Sequence, residues 1–488
     1  MTYLREDRCW QALVGIALLA ALVRFPTLDL QSFWHDEAVT VNRIIQPGLG
    51  DTLSAIPDNE STPPLYYLVA WFWTKLFGTG EVGLRSLSAL CGVLCVPVVY
   101  AAAARLAGAR IGLVAAALVA VNPLLVHYSQ EARAYALLVL MCAVSFLFFV
   151  RARERGETRD LALFALSSAL ALATHYFAVF VVAPEVVLLL IARWEQGRAA
   201  ALWAIAGVGA AGAALLPLAL HQQDSANNNW FSDLALGPRL TDVPKAFLIG
   251  EPGAQVSRAL ALAALAVALA VVLLALRADA RERRAALIAL AVAAGAALIP
   301  LALAVLGSDF FIHRNLLGAL VPLLVVVAVG FGASRAGWVG LAGAGAACTV
   351  ALAMLVVIAR DEELQRADWR SVAAELGPAP GGRAIVTAFL GDDPLEVYLP
   401  GTGKLPRRGA RVREVAVIAY SRPTTRRPAP GFRLVERRRV ERFTLLRFRS
   451  PTPRLVRPAR LRARRLGAER NTVLFQPPAG GRAAAGSR

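Results

Sequence analysis

Charged side chains are scarce in this 488-residue sequence, which is 18% charged and 57% hydrophobic. The mean hydropathy is +0.54. Apolar runs of about 20 residues recur over the first three quarters, and an α-helix of that length crosses a hydrocarbon layer of about 30 Å. The composition therefore excludes an ordinary soluble protein. It predicts a polytopic α-helical membrane protein.

Cysteine is also scarce, with five residues that all lie in or beside apolar runs: Cys9, Cys91, Cys95, Cys142 and Cys348. Cys91 and Cys95 are one helical turn apart, a spacing that would suit two metal ligands. No third or fourth ligand lies near them in sequence, so small packing residues are the favoured interpretation.

Two further features are missing. No small-residue cleavage site follows the first apolar run, from Trp10 to Val23, so a retained helix is predicted rather than a signal peptide. The sequence contains no internal repeat, and a transporter built from repeated halves is therefore the less favoured alternative.

Eleven spans are predicted, at roughly 10–25, 84–104, 111–126, 134–150, 160–174, 175–192, 200–220, 257–276, 285–306, 314–333 and 338–358. With this count, the arginines of the connecting segments all fall on one side of the membrane. By the positive-inside rule that side is the cytoplasm, which places the N-terminus inside. An odd number of spans then places the C-terminal region outside.

The net charge of +18 is concentrated at the C-terminal end. Residues 401–488 hold 24 Lys and Arg against 4 Asp and Glu. On a membrane protein, this basic region is expected to be solvated or to meet anionic lipid headgroups rather than nucleic acid.

A small extracytoplasmic α/β domain is predicted at 361–450, after a transmembrane domain at 1–360. Its pattern is a helix at 368–376, followed by strand-like runs at 384–390, 414–420 and 444–448. From Pro451 onward, the Arg, Pro, Gly and Ala bias predicts a disordered tail through residue 488.

Polar chemistry collects on the predicted outer side. All five histidines map there: His35, His127, His175, His221 and His313. The first outer loop also carries adjacent acids within the sequence SFWHDEA at 32–38. Asp36 or Glu37, beside an interfacial helix, would suit a general base that takes a proton from a hydroxyl group. A solvated acidic turn is the alternative.

Three other charged residues stand close to predicted spans. Arg133, near Glu131, would suit an anion contact or an internal salt bridge. Arg314 follows His313 at a helix N-terminus, where a cation is disfavoured unless an anion lies beside it; snorkelling to headgroups is the alternative. Glu185, inside a span, is a functional candidate by position, although a hydrogen bond to a neighbouring helix is the favoured interpretation.

Together these segments resemble the GT-C class of membrane glycosyltransferases, specifically glycosyltransferase family 39 and its bacterial dolichyl-phosphate-mannose-protein-mannosyltransferase-like members. The resemblance rests on Arg24, SFWHDEA at 32–38, TPPLYY at 62–67, QEARAY at 130–135, HRNLL at 313–317 and DWR at 368–370. It implies an inverting transfer of a sugar from a polyprenyl-phosphate donor to a glycan, lipid or protein acceptor on the outer face. One departure is Thr62, where many relatives carry His or Lys before Pro-Pro, and a metal requirement stays open.

The resemblance also implies roles for individual residues. Asp36 is the expected catalytic carboxylate, with Glu37 beside it. Because a lipid phosphate leaves readily once its charge is balanced, cationic and polar groups are expected around it. The candidate donor-phosphate ligands are Arg133, Arg314, Lys75 and Tyr135, and the candidate acceptor-orienting residues are Glu131, His35 and His313.

Overall fold

The computed structural model describes residues 2–195, 197–225, 235–251, 256–420, 426–463 and 472–478. The chain divides into two compact units. The first comprises Met1–Leu28 and Gln46–Arg360, and the second comprises Asp29–Ile45 and Asp361–Arg488.

The described residues of the first unit form helices and their connections. The α-helices are α1 (Thr2–Leu22), α3 (Leu49–Asn59), α4 (Leu65–Phe77), α5 (Glu81–Ala107), α6 (Ala109–Val121), α7 (Pro123–Ser129), α8 (Tyr135–Arg155), α9 (Thr158–Thr174), α10 (Val179–Arg193), α11 (Arg198–Ser225), α12 (Leu236–Ile249), α13 (Ser257–Arg277), α14 (Ala280–Val305), α15 (Leu317–Gly332) and α16 (Gly337–Arg360). Short 3₁₀ turns at Tyr176–Ala178 and His313–Leu316 lead into α10 and α15.

Each of the eleven predicted spans coincides with a helix or a helix pair of this unit, which confirms a polytopic helical membrane protein. Eight helices among the described residues are long and apolar enough to cross a membrane, and the bent pair α6 and α7 would make nine. The other two predicted spans, α1 and α9, do not meet these requirements of length and hydropathy. The first turns of α1 contain charged residues, and α9 has only 17 residues.

The bend between α6 and α7 is 58° and has a local cause. Pro123 cannot donate the hydrogen bond that would continue α6. The Asn122 side chain instead caps α7, accepting from the backbone N–H of Leu124 and of Leu125 at 3.1 Å each. This break lies just before the segment QEARAY.

The second unit is built on a six-stranded sheet in the order β2-β6-β1-β3-β5-β4. The strands are β1 (Arg383–Val386), β2 (Gly403–Lys404), β3 (Ala410–Ala419), β4 (Arg433–Val440), β5 (Phe443–Val456) and β6 (Val473–Gln476). Its α-helices are α2 (His35–Val39), α17 (Trp369–Leu376), α18 (Asp392–Tyr398) and α19 (Pro458–Ala463). Only β1 and β3 run parallel; the other pairs are antiparallel.

The predicted helix and the three predicted strands of this unit correspond to α17, β1, β3 and β5. The predicted tail differs in its described part, because β6 lies inside the sheet between β1 and β2 and buries Leu474 completely. A strand of four residues is too short to stand out from the surrounding Arg- and Pro-rich sequence. Residues 464–471 and 479–488 of the predicted tail lie outside the described residues.

The structure also reassigns part of the predicted transmembrane domain. Residues Asp29–Ile45 belong to the sheet-containing unit. Within this segment, α2 continues into a π-helical turn at Thr40–Ile44. The helix predicted beside Asp36 and Glu37 corresponds to α2, which begins at His35.

Candidate active site

Asp36 lies in the first turn of α2, where the helix dipole favours an acidic residue. Its side chain is half-buried. Within the described part of the chain, its carboxylate makes no hydrogen bond and no ion pair. Asp36 therefore has a carboxylate that a helix holds in place and that no other described residue engages.

Glu37 has a different environment, although it is the next residue. Its side chain is completely buried and accepts a hydrogen bond from the backbone N–H of Trp34 at 3.3 Å. Arg366 lies 3.6 Å from the same carboxylate oxygen, and its guanidinium also stacks 5.0 Å from the Trp34 ring. Glu37 thus fixes the start of α2.

His35 and the turn after α2 are tied to Asp393, in the first turn of α18. The buried Asp393 carboxylate lies 3.2 Å from His35 Nδ1 and 2.5 Å from Arg43 Nη2. Asn42 donates a hydrogen bond to the Asp393 backbone carbonyl at 3.0 Å. Burial raises the pKa of the Asp393 carboxyl, while the charges of Arg43 and His35 act in the opposite direction. These contacts hold both ends of the Asp36 helix against α18.

A metal ion could find ligands at the same place. One ligand atom each of His35, Asp392 and Asp393 lies within 4.8 Å of the others. However, the Arg43 guanidinium already supplies positive charge to Asp393. The donor set fits a metal ion only if Arg43 moves away.

The DWR segment, at 368–370, also contacts the Asp29–Ile45 segment. Asp368 caps α17, and the N–H of the buried Trp369 donates to Ser32 Oγ at 2.9 Å. Arg370 donates to the Asp29 carbonyl at 2.8 Å. A Cβ on Gly391 would come within 2.2 Å of the Trp369 ring, so glycine is required where this ring packs. The DWR segment is therefore hydrogen-bonded to Ser32 and Asp29, in the segment that carries Asp36.

In the first unit, Arg133 forms an internal salt bridge. Both of its terminal nitrogens bind the carboxylate of Glu60, with Nη2 at 2.9 Å from Oε2, and both side chains are buried. Thr62 Oγ1 lies 3.5 Å from Glu60 and 3.4 Å from the Tyr67 hydroxyl. The position that departs from the family pattern is thus part of this buried network.

Aromatic rings surround the same region. Tyr135 lies 4.8 Å from the Tyr128 ring and 5.6 Å from the His175 ring, measured between centroids. Tyr135 is therefore packed between Tyr128 and His175, two positions after Arg133 in the chain.

The remaining candidates of the first unit lie at different places. His313 Nε2 is 3.1 Å from Glu251, in the turn that leads into α15. Glu131 is buried. Lys75 donates to the Pro47 carbonyl at 3.1 Å and lies 4.3 Å from the Trp71 ring centroid. Among the described residues, the contacts of Lys75 therefore involve none of the other predicted phosphate ligands.

Two buried polar residues have helix-packing roles. Ser145, on α8, donates a hydrogen bond to Glu185, on α10, at 2.6 Å. This bond between helices agrees with the structural interpretation of Glu185 that the sequence favours. Arg24 is fully buried and donates to the carbonyls of Ala20 and Ala120.

Several contributing residues were not identified from the sequence. Arg366, Asp393 and Tyr398 have no local motif and lie more than 300 positions from their partners in 32–43. Glu60 is recognisable in the sequence as an acid beside the Pro63-Pro64 turn. No sequence spacing, however, identifies Arg133 as its partner.

Part of the chain matches a family model, and the chain is similar to several solved structures. A family model described as dolichyl-phosphate-mannose-protein mannosyltransferase matches residues 61–221. The chain is similar to ArnT from Cupriavidus metallidurans in the apo state, with a TM-score of 0.56, 14% identity, and coverage of 89% of this chain and 97% of that one. The chain has the GT-C fold. With undecaprenyl phosphate bound, ArnT matches at a TM-score of 0.55, with the same identity and coverage.

Among other GT-C structures, the oligosaccharyltransferase AglB from Archaeoglobus fulgidus gives a TM-score of 0.48 at 12% identity, covering 76% of this chain and 58% of that one. No curated protein sequence matches the chain. The GT-C fold and the family match together indicate a multi-pass membrane glycosyltransferase, as the resemblance predicted.

Proposed function

We propose that this GT-C protein is an inverting glycosyltransferase, which moves a sugar from a polyprenyl-phosphate donor to an acceptor hydroxyl with Asp36 as the general base. The observation that carries the proposal is the Asp36 carboxylate, which has no partner within the described residues and lies in the first turn of a helix that other side chains hold in place. The undecaprenyl phosphate bound by ArnT supports a donor of this class.

The donor phosphate requires positive charge, because it leaves with the electrons of the bond to the anomeric carbon. Arg133 and Arg314 supply that charge in the proposal, with Tyr135 as a hydrogen-bonding neighbour. Glu60 holds the Arg133 guanidinium in one orientation before the donor arrives. Lys75 is the weaker candidate because its ammonium group already contacts Pro47 and Trp71.

The acceptor hydroxyl is a poor nucleophile until its proton is removed. In the proposed step, Asp36 takes that proton while the hydroxyl oxygen attacks the anomeric carbon and the bond to the phosphate oxygen breaks. A single displacement of this kind inverts the anomeric centre. Acceptor orientation is assigned to Glu131, His35 and His313, and Glu37 holds the base in place.

The proposed location is the cytoplasmic membrane, with the N-terminus in the cytoplasm and both Asp36 and the sheet-containing unit outside. The support is the distribution of arginine over the connecting segments.

The test begins with mass spectrometry of envelope glycans and glycolipids from cells with and without the protein, which identifies the sugar and its acceptor. Cells that produce the Asp36→Asn variant should lack the product, with a rate reduced at least about 100-fold because the base is removed. Asp29→Asn is the matched control, since Asp29 is an exposed acid of the same segment. Retained transfer by a folded Asp36→Asn variant would refute the assignment.

A lipid-flipping assay in liposomes distinguishes the proposed enzyme from the alternative, a transporter or flippase. A transporter or flippase would move lipid-linked sugar across the bilayer without an acceptor, whereas the proposed enzyme would consume the donor only when an acceptor is present.

A further inference from the structure

A second polar site lies in the first unit and contains none of the residues proposed for catalysis. A cavity of about 430 Å³ opens between the last turns of α5 and α8 and the first turns of α14. Its lining includes Arg153, Arg281 and Arg284, together with Glu154 and the apolar Leu106 and Ile288. We call it the arginine cavity.

The arginine cavity has an excess of unneutralised positive charge. Glu154, its single acidic lining residue, receives a hydrogen bond from Arg105 at 2.7 Å and is neutralised by it. Arg153, Arg281 and Arg284 make no hydrogen bond or ion pair with any residue that the structure describes. Three cationic groups therefore converge on one space without an anion.

Two of these arginines occupy an unfavourable position on their helix. Arg281 and Arg284 lie in the first turns of α14, and the positive end of the helix dipole disfavours cations there. A bound anion at this place would compensate both the guanidinium groups and the dipole. The capping box of Asp279 and Glu282 satisfies backbone groups of this turn and leaves the arginine charges unpaired.

The position of the arginine cavity along the helices indicates which kind of anion binds there. α5, α8 and α14 are candidate membrane spans, and the arginine cavity lies at their charged ends, where the phosphate groups of a bilayer are found. Leu106 and Ile288 give the arginine cavity an apolar wall, and Leu287 and Leu290 are exposed on α14 beside it. A free phosphate would use only the arginines, whereas a phospholipid would use both the charged and the apolar surfaces.

We propose that the arginine cavity is a binding site for an anionic phospholipid, whose phosphodiester is held by Arg153, Arg281 and Arg284 and whose acyl chains lie along α14. This lipid is separate from the sugar donor, and the inference does not depend on the proposed activity.

Native mass spectrometry of the full-length protein tests the site, with equimolar phosphatidylglycerol and phosphatidylcholine added in detergent. The wild type should retain phosphatidylglycerol in preference. The triple variant Arg153→Gln, Arg281→Gln and Arg284→Gln should lose that preference by about tenfold to 100-fold. The matched control replaces Arg159, Arg277 and Arg335 with Gln, which removes the same charge from exposed positions that do not line the arginine cavity.

The control variant should bind as the wild type does. An equal loss in both triple variants would overturn the site in favour of general attraction between the membrane surface and basic residues. Displacement of phosphatidylglycerol by millimolar inorganic phosphate alone would overturn the lipid assignment in favour of a free anion. Unchanged binding by the cavity variant, with its melting temperature also unchanged, would remove the proposal altogether.

Discussion

At the scale of single residues, the local pattern leaves Asp36 and Glu37 as alternatives for the proposed base, and the family resemblance favours Asp36. Successive residues of a helix point about 100° apart, so adjacent acids meet different surroundings. Glu37 turns inward to Trp34 and Arg366, whereas Asp36 does not. That distinction depends on Arg366, which comes from a remote part of the chain, and no local pattern could supply it.

The same limit applies to Arg133, for which the sequence left an anion contact and an internal salt bridge equally open. Its guanidinium binds Glu60, which lies 73 positions away in the chain. A buried pair of this kind is costly to break, since the remaining charge stays in a poorly solvated place. In the proposal, Glu60 orients the Arg133 guanidinium that the donor phosphate approaches.

We expect Arg133→Met to destabilise the protein by about 3–5 kcal/mol, because it leaves the Glu60 carboxylate buried and unpaired. The double variant Glu60→Gln with Arg133→Met should recover much of that loss and still fail in sugar transfer. Thermal melting in detergent and a transfer assay measure the two effects separately. A double variant no more stable than the single one would contradict the importance of the pair. Normal transfer by the double variant would contradict the role of Arg133 at the phosphate.

At the scale of elements, the membrane-spanning helices were predictable because each carries its own apolar run, and so were three of the six strands, β1, β3 and β5. The four-residue β6 was not predictable, because its position depends on pairing with distant segments. The grouping of Asp29–Ile45 with the sheet-containing unit follows from contacts to α17 and α18, which a reading in chain order cannot detect.

Asp393 links α18 to the helix that carries Asp36, and we expect its replacement to loosen that helix specifically. In Asp393→Asn, the ion pairs to His35 and Arg43 are lost, at a cost of about 1–3 kcal/mol. Hydrogen exchange in residues 35–45 should rise by about tenfold or more while β1 and β3 stay protected. The rate of transfer should fall with it, since the base is held less firmly.

Asp392→Asn provides the control for this prediction, because Asp392 is the preceding residue of the same helix and makes no ion pair within the described part of the chain. It should leave both exchange and transfer close to the wild-type values. Faster exchange throughout the sheet in Asp393→Asn would indicate a general folding defect and contradict a specific positioning role.

At the scale of the whole molecule, the distribution of charge along the chain was more informative about domain organisation than the net charge. The sum of +18 describes neither part, because the C-terminal 88 residues carry all of the excess. That basic region forms much of β4 and β5, where Glu414 accepts hydrogen bonds from Arg383, Arg447 and Arg449. Part of its charge is therefore used within the fold, which composition alone could not predict.

The proposed orientation gives a prediction for the intact cell. In a variant whose five native cysteines are replaced, a single cysteine at position 36 should react with a membrane-impermeant maleimide added outside, because the proposed base must meet the acceptor there. A single cysteine at position 153 should react only after the membrane is opened, since the positive-inside rule places the arginine-rich connections in the cytoplasm. The opposite result, with position 153 labelled in intact cells and position 36 protected, would reverse the orientation and remove the basis for transfer on the outer face.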